Sequence, residues 1–433
     1  MTGEFDVAVV GAGPAGCAAA ITLAAGGAHV LLVDRAHFPR DKCCGDGLTT
    51  AATRRLEALG FDPGAVASFR PAKELAVRSP SGRTVLLPIG QGPGVFAAVA
   101  RRRDLDSALA DLARRAGARF VDATRLVALT TTLDGLARLN FAGGDEATAR
   151  YVVAADGAWS PIRRMLTPPG PPAAARRPEW IAFRAYVEKV RPVAAERLWV
   201  WFGADLLPGY AWSFPLADGA VNFGVCLPRH SGAGLAERWE ETLASPFFTS
   251  LLGPDAVLTA PARAWPIPAG VGRVALSGLG GRVLFVGDAA CAADPFTGEG
   301  IEQALATGTL AAQAIVAAAL TPETVASFYG DAVRRSIGRD HRVSTWHRGL
   351  FQTPSARRAP CASPMPATFL AATSRAGSSE TTQGRSSRTR VRGPGSSGGR
   401  QGRSPTRTWP DPIRLPRTQS RFAPWRRTSS TTL

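Results

Sequence analysis

The chain has 433 residues, with 51 Lys and Arg against 34 Asp and Glu, a formal net charge of +17. From Gln352 onward there are 15 Arg, no Lys and two acids, a net of +13, which leaves 36 basic and 32 acidic residues before it, a net of +4. Nucleic-acid binding is therefore not expected of the body, and any such binding should be lost with residues 352–433. What remains is a mildly basic globular protein of two closely joined domains, since a domain takes roughly 100–200 residues.

Residues 5–10 (FDVAVV) have the composition of a buried strand. GAGPAG follows at 11–16, then an Ala-rich helix to about Ala25 and a second strand at 29–33 ending at Asp34. The chain thus opens on a βαβ unit. Residues 75–88 alternate around Ser79-Pro80-Ser81-Gly82 and predict a hairpin. Residues 101–116 predict a helix with Leu105, Leu109 and Leu112 on one face, and 119–127 and 151–154 predict further strands. Between Trp180 and Trp265 the runs WIAFRAYV, RLWVWFG, YAWSFPL and AVNFGVCL predict an antiparallel sheet forming a second domain. RVLFVGDAA at 282–290 returns to a buried strand, and 300–320 predict a long helix.

After Phe351 Ser, Thr, Pro, Gly and Arg dominate and no apolar period survives. One reading is a disordered basic tail touching RNA or membrane. The preferred one is a GC-rich coding region read in the wrong frame, because Arg abounds and Lys is absent; an intact-mass measurement decides. Either way residues 352–433 are expected to be disordered and to take no part in the chemistry.

The six cysteines, Cys17, Cys43, Cys44, Cys226, Cys291 and Cys361, show no CxxC spacing, and no metal site is expected. The first apolar run begins directly as a strand, so a cytoplasmic location with reduced thiols is expected. The longest apolar helical stretch, 310–320, falls short of the about 20 residues a bilayer requires.

GxGxxG alone is a weak signal, but here a strand precedes it, a helix follows it, and Asp34 stands 18 residues past Gly16. Gly11 permits the tight turn, Gly13 lets a pyrophosphate approach the helix N-terminus, and Gly16 allows close helix–strand packing. Asp34 is the candidate acceptor for the adenosine ribose. No second such motif has the right setting, since GLGG at 278–281 precedes a strand. FVGDAACAADPFTGEGI at 285–301 favours FAD over NAD: Asp288 suits a ribityl hydroxyl, and a helix opening at Gly300-Ile301 suits an isoalloxazine carbonyl that becomes electron-rich on reduction.

With these motifs in order, the chain resembles the geranylgeranyl reductase family, within the flavoproteins that include the aromatic hydroxylases. The matches are GAGPAG, FPRDKCCGDGL at 38–48, RRDLD at 102–106, AADGAWSPIRR at 154–164, PGYAWSFPLADGAVNFGV at 208–225 and the 285–301 segment. The second and fifth look particularly like the family's bacterial menaquinone reductases. The resemblance implies an α/β fold, with a Rossmann-like FAD-binding domain of the glutathione-reductase-2/aromatic-hydroxylase type and an antiparallel β-sheet substrate domain. The corresponding segments are 1–68, 96–172 and 275–351 for FAD, and 69–95 and 173–274 for substrate. It implies flavin contacts from Ala15, Asp34, Cys44, Gly45, Gly47, Arg102, Asp288, Gly300 and Ile301, with Asp156-Gly157 as a second dinucleotide contact. A surface arginine is the plain reading of Arg102, which Arg101 and Arg103 flank.

Adjacent Cys43 and Cys44 make a poor disulfide and poor metal geometry. Cys43 stands where relatives usually carry Pro. Cys44 matches a position where many keep Cys; it is a proton donor, a lid over the flavin, or packing. The Cys44–Gly47 run is expected to supply small residues where the backbone passes the flavin ring. Tyr210, Trp212 and Phe214 alternate on one strand face and resemble the family's prenyl-binding motif, with Cys226 where its second Gly falls, narrowing the space. The implied reaction is reduction of an isolated carbon–carbon double bond, with Cys44, Tyr210 or a trapped water giving the proton. NAD(P)H or reduced ferredoxin would supply electrons. An apolar prenyl-lipid substrate, peripheral membrane contact and no nucleic acid are expected. The rival readings are a flavin monooxygenase of a small aromatic, and a halogenase, whose Trp-x-Trp-x-Ile-Pro motif is not matched here.

Overall fold

The computed structural model describes residues 2–94, 97–167, 178–229, 234–317 and 321–351, the last six of these by backbone alone. The tail expectation for 352–433 lies outside the described residues.

Strand Glu4–Val10 is buried from Val7 on, as its run of β-branched residues requires of a strand covered on both faces. It pairs in parallel with Val30–Val33 on one side and Glu146–Ala154 on the other. Val283–Phe285 extends this sheet in parallel beyond Glu146–Ala154, and Arg119–Val121 extends it beyond Val30–Val33. Helices Pro14–Ala25 and Ile301–Ala317 cross here because both are built of small residues. A Cβ on Gly308 would lie 2.0 Å from Ala15 O, so only glycine admits that approach.

Residues 119–127 are not one strand. Ala123 takes φ +48, and the N–H groups of Ala123 and Thr124 turn back to Ala36 O and Asp34 O. The run therefore splits into Arg119–Val121 and Leu126–Thr131, and the second piece pairs antiparallel with Ala137–Phe141, which the sequence reading missed. The 151–154 strand likewise begins earlier, at Glu146, where Ala147 and Ala149 alternate inward.

The second sheet runs in the order Val257–Leu258, Trp180–Glu188, Val221–Pro228, Tyr210–Pro215, Leu198–Trp201, Glu74–Arg78, Thr84–Pro88, with Arg263–Ile267 beside Trp180–Glu188. The expected hairpin is its far edge. One pair, Leu198–Trp201 with Glu74–Arg78, is parallel; the rest are antiparallel. Its outer face packs under helices Leu235–Leu243 and Pro246–Leu252, where Phe223 meets Phe248 edge-on at 4.7 Å. A three-stranded sheet of Gly47–Leu48, Ala97–Val99 and Arg70–Ala72 completes the strands.

A helix the sequence reading did not anticipate spans Pro322–Phe351. Its buried residues Val325, Tyr329, Val333, Ile337 and His341 fall four apart, a stripe that places one face on the body. Tyr329 Oη donates to Phe285 O at 2.6 Å.

Candidate active site

One cavity of about 780 Å³ opens between the C-terminal ends of the parallel strands and the aromatic strand Tyr210–Pro215. Parallel α/β sheets place ligands at that end of the strands.

The glycine turn forms one wall. Gly11 has φ +105, and a Cβ there would stand 2.2 Å from Ala155 O. A Cβ added at Gly13 would stand 3.7 and 4.0 Å from guanidinium nitrogens of Arg40 and Arg102. Gly13 caps helix Pro14–Ala25 without a side-chain acceptor, which leaves that N-terminus open to an anion. Ala15 lines the cavity. Gly16 is absent from the wall; its missing side chain leaves room for Gly11 O, 1.8 Å from where a Cβ would be, so it sets helix packing.

Asp34 is held in place at the strand end. Ala12 N–H donates to its Oδ2 at 2.8 Å and Ala36 N–H to its Oδ1 at 2.9 Å. Arg102 is not a surface arginine: it is 3% exposed, and it donates to both oxygens of Asp106, at 2.8 and 2.7 Å. Arg40 reaches the same Asp106 at 2.9 Å. Burial would push the Asp106 carboxyl up, but the two guanidiniums pull it below its ordinary value. Arg40 was missed by sequence reasoning, although it lies in the 38–48 motif.

Asp156 Oδ2 accepts Ile162 N–H at 2.9 Å, while its buried Oδ1 meets no donor among the described residues, and burial raises this carboxyl. Across the cavity Asp288 Oδ2 receives Lys42 Nζ at 2.9 Å. Gly300 and Ile301 open the helix Ile301–Ala317 on the same wall.

The 38–49 loop lies along the cavity and against the aromatic strand at once. The space left by its glycines is filled by the protein's own rings: a Cβ on Gly45 would touch the Trp212 indole at 3.3 Å, and one on Gly47 the Phe214 ring at 3.0 Å. Both glycines also line the cavity. Cys44 O accepts Asn222 Nδ2 at 2.8 Å and Arg184 Nε at 3.2 Å. Cys44 lines the cavity, and burial raises the pKa of its thiol, so it stays protonated. Cys43, also on the cavity wall, donates its thiol to Arg263 O at 3.2 Å.

Between the cysteines and Gly47 sits Asp46, with φ +61 and no exposure. Its Oδ2 accepts Tyr186 Oη and Asn222 Nδ2, each at 2.8 Å. Burial pushes this carboxyl up to about 6, against the pull of Arg184 and those donors. Arg184 also pairs with Asp41 at 3.0 Å. The Asp46, Asn222, Tyr186 and Arg184 group was missed. The only sequence signal was an acid inside a Gly-rich loop.

Tyr210, Trp212 and Phe214 do share one face, and all three line the cavity. Trp212 Nε1 donates to Asn222 Oδ1 at 3.0 Å, so the Asp46 network also orients the indole. Gly224, opposite Trp212 in the register, is obligatory: its Cβ would lie 2.1 Å from a ring carbon. Tyr210 Oη donates to Thr297 O, and burial keeps the phenol well above its ordinary pKa. Cys226 pairs with Tyr210 across the strands and packs with Trp180 and Trp212 on the cavity wall.

A glycine cradle, a strand-end acid, a buried carboxylate oxygen awaiting a donor and two helix N-termini fit a dinucleotide cofactor. The aromatic strand closes the cavity over it. Comparisons with known proteins agree. The FAD binding domain family matches residues 4–324. A menaquinone reductase of Mycobacterium tuberculosis is 35% identical over 352 residues, covering 75% of this chain and 80% of that one. Digeranylgeranylglycerophospholipid reductase 1 of Methanopyrus kandleri is 33% identical over 341 residues, covering 75% and 84%. In structure, a geranylgeranyl bacteriochlorophyll reductase-like protein of Thermoplasma acidophilum superposes with a TM-score of 0.69 at 22% identity, covering 81% and 88%. Flavin-dependent halogenases share the fold. The chain is an FAD-dependent oxidoreductase and belongs to the geranylgeranyl reductase family.

Proposed function

We propose that this protein saturates a carbon–carbon double bond in a prenyl chain, either a geranylgeranyl group or a menaquinone side chain. The observation that carries this reading is the joining of two surfaces in one cavity: the dinucleotide cradle, and the apolar wall of Tyr210, Trp212 and Phe214. Segments 1–68, 96–172 and 275–351 hold the cofactor, and 69–95 and 173–274 hold the substrate. FAD, when bound, supplies the hydride. The residues named for it are Gly11, Gly13, Ala15, Asp34, Cys44, Gly45, Gly47, Arg102, Asp156, Asp288, Gly300 and Ile301, with Gly16 setting the turn behind them.

An isolated alkene is not polarised, so the chain's own task is to position it in a dry slot and hold a proton near it. The rings offer rigid apolar area at little entropic cost. The Cys44 thiol and Tyr210 phenol are both kept protonated by burial and are the candidate donors. Electrons arrive from NAD(P)H or reduced ferredoxin. No helix among the described residues is long and apolar enough to cross a membrane; peripheral contact with a membrane is part of this proposal because a prenyl-lipid substrate resides there.

The test is anaerobic incubation of the reduced protein with geranylgeranyl diphosphate and, separately, with menaquinone, read by mass spectrometry. A gain of two hydrogens on either is expected. No gain on any prenyl compound, with oxygen consumed in air on a small aromatic, would replace this reading by the monooxygenase.

A further inference from the structure

Helix Ile301–Ala317 opens on the cavity, yet its first turn is already engaged. Glu299, itself on the cavity wall, turns Oε1 back onto the N–H of Glu302 at 2.9 Å. The neighbouring acids are each compensated. Lys42 holds Asp288, and Arg55 holds Glu302. Asp294 is satisfied by the N–H groups of Phe296 and Thr297 and the hydroxyls of Thr297 and Ser344. Among the described residues no Lys, Arg or His pairs with Glu299. The charged groups acting on it are the Glu302 and Asp294 carboxylates, opposed by the N–H groups of Glu302 and Ile301, while the Tyr210 phenol shares its wall. Burial first, then the Glu302 carboxylate, holds its pKa up at about 8.

A helix N-terminus stabilises one anion within its first turn. Two anions there compete, and the cavity has no spare cation at this point to settle the contest. If a bound flavin turned a carbonyl toward this helix N-terminus, the electron density gathering there on reduction would compete with the Glu299 carboxylate in the first turn. Neutralising that carboxylate removes the conflict.

We propose that Glu299 is a positioning residue that, in the alkaline range where it is ionised in the oxidised protein, couples proton uptake to reduction of the bound flavin, its carboxylate taking one proton as two electrons enter. The inference rests on the flavin reading above. The balance is two electrons and one proton to the flavin, with a second proton from water to Glu299 Oε. Together these equal the hydride and proton that saturation of an alkene consumes. The reductant is dithionite in the test and NAD(P)H or ferredoxin in turnover.

The experiment is an anaerobic redox titration of the FAD-loaded protein at a series of pH values, for wild type and Glu299→Gln. Wild type is expected to show a midpoint potential that falls twice as steeply with pH once the pH passes about 8, where the oxidised form has lost the Glu299 proton. Glu299→Gln keeps an acceptor for Glu302 N–H and should show no steepening. A second measurement needs no variant: photoreduction in weak buffer with an indicator dye, in the same alkaline range, should take up two protons per flavin. Equal slopes in both proteins, or one proton per flavin in wild type, would overturn the inference. A preparation that takes up no FAD would overturn the flavin reading itself and is told apart by its lack of colour.

Discussion

The two walls of the cavity use glycine for opposite purposes. On the nucleotide side, Gly11, Gly16 and Gly308 bring backbone against backbone, with carbonyl oxygens where their side chains would be. On the aromatic side, Gly45, Gly47 and Gly224 make room for the rings of Trp212 and Phe214, Gly224 standing against Phe183 O as well. A wall built from main chain is fixed by geometry and indifferent to most side chains nearby. A wall built from rings is set by which side chains meet, so it is where substrate preference can change without loss of the cofactor.

Breaking the first wall should have the largest effect. Gly16→Ala forces a Cβ to 1.8 Å from a carbonyl oxygen that has no freedom to yield. We expect loss of flavin binding and a destabilisation at or beyond the ~3 kcal/mol upper range of overpacking, read by absorbance and thermal melting.

Asp46 ties the two walls together and should come next. Its folded pKa of about 6 lies above its unfolded value, so the folded state keeps a proton that the unfolded state releases. Stability from this group is full below about pH 4 and is lost as pH rises to about 6. The melting difference between wild type and Asp46→Asn should therefore shift against wild type across that window, by up to ~3 kcal/mol. A difference independent of pH would mean the carboxyl is ordinary.

Gly224→Ala sharpens the contrast from the other side. The Trp212 ring must move, at ~1–3 kcal/mol, and prenyl turnover should fall while the flavin stays bound. Smallest is Tyr210→Phe, which removes the bond to Thr297 O and costs ~1 kcal/mol. A fall in kcat of ~100-fold or more with KM unchanged would mark the phenol as the proton source. A rise in KM alone would leave it as part of the wall.

What the sequence disclosed was whatever is local. The turn at Gly11, the acid at Asp34 and the ring alternation at Tyr210 each lie within one strand–turn–helix or one strand, and all are where the pattern put them. Partners distant along the chain were illegible. Asp46 and Asn222 are 176 residues apart, and Arg184 meets Cys44 O across 140. The smallness of Gly45 and Gly47 was plain, but a pattern of small residues does not say whether a cofactor or an indole fills the gap. The helix Pro322–Phe351 was overlooked although its buried stripe repeats every fourth residue, because charged residues crowd between the apolar ones. The corner at Ala123 was overlooked although Asp122, Thr124 and Arg125 interrupt the apolar residues there.

The contact between helix Pro14–Ala25 and helix Ile301–Ala317 has a consequence for biogenesis. The far wall of the glycine turn, Asp288 through Gly308, emerges from the ribosome nearly three hundred residues after the turn itself. Such a long closure delays assembly, so chains stalled short of Gly308 should remain colourless in FAD, and pigment should be acquired only once that segment has been made.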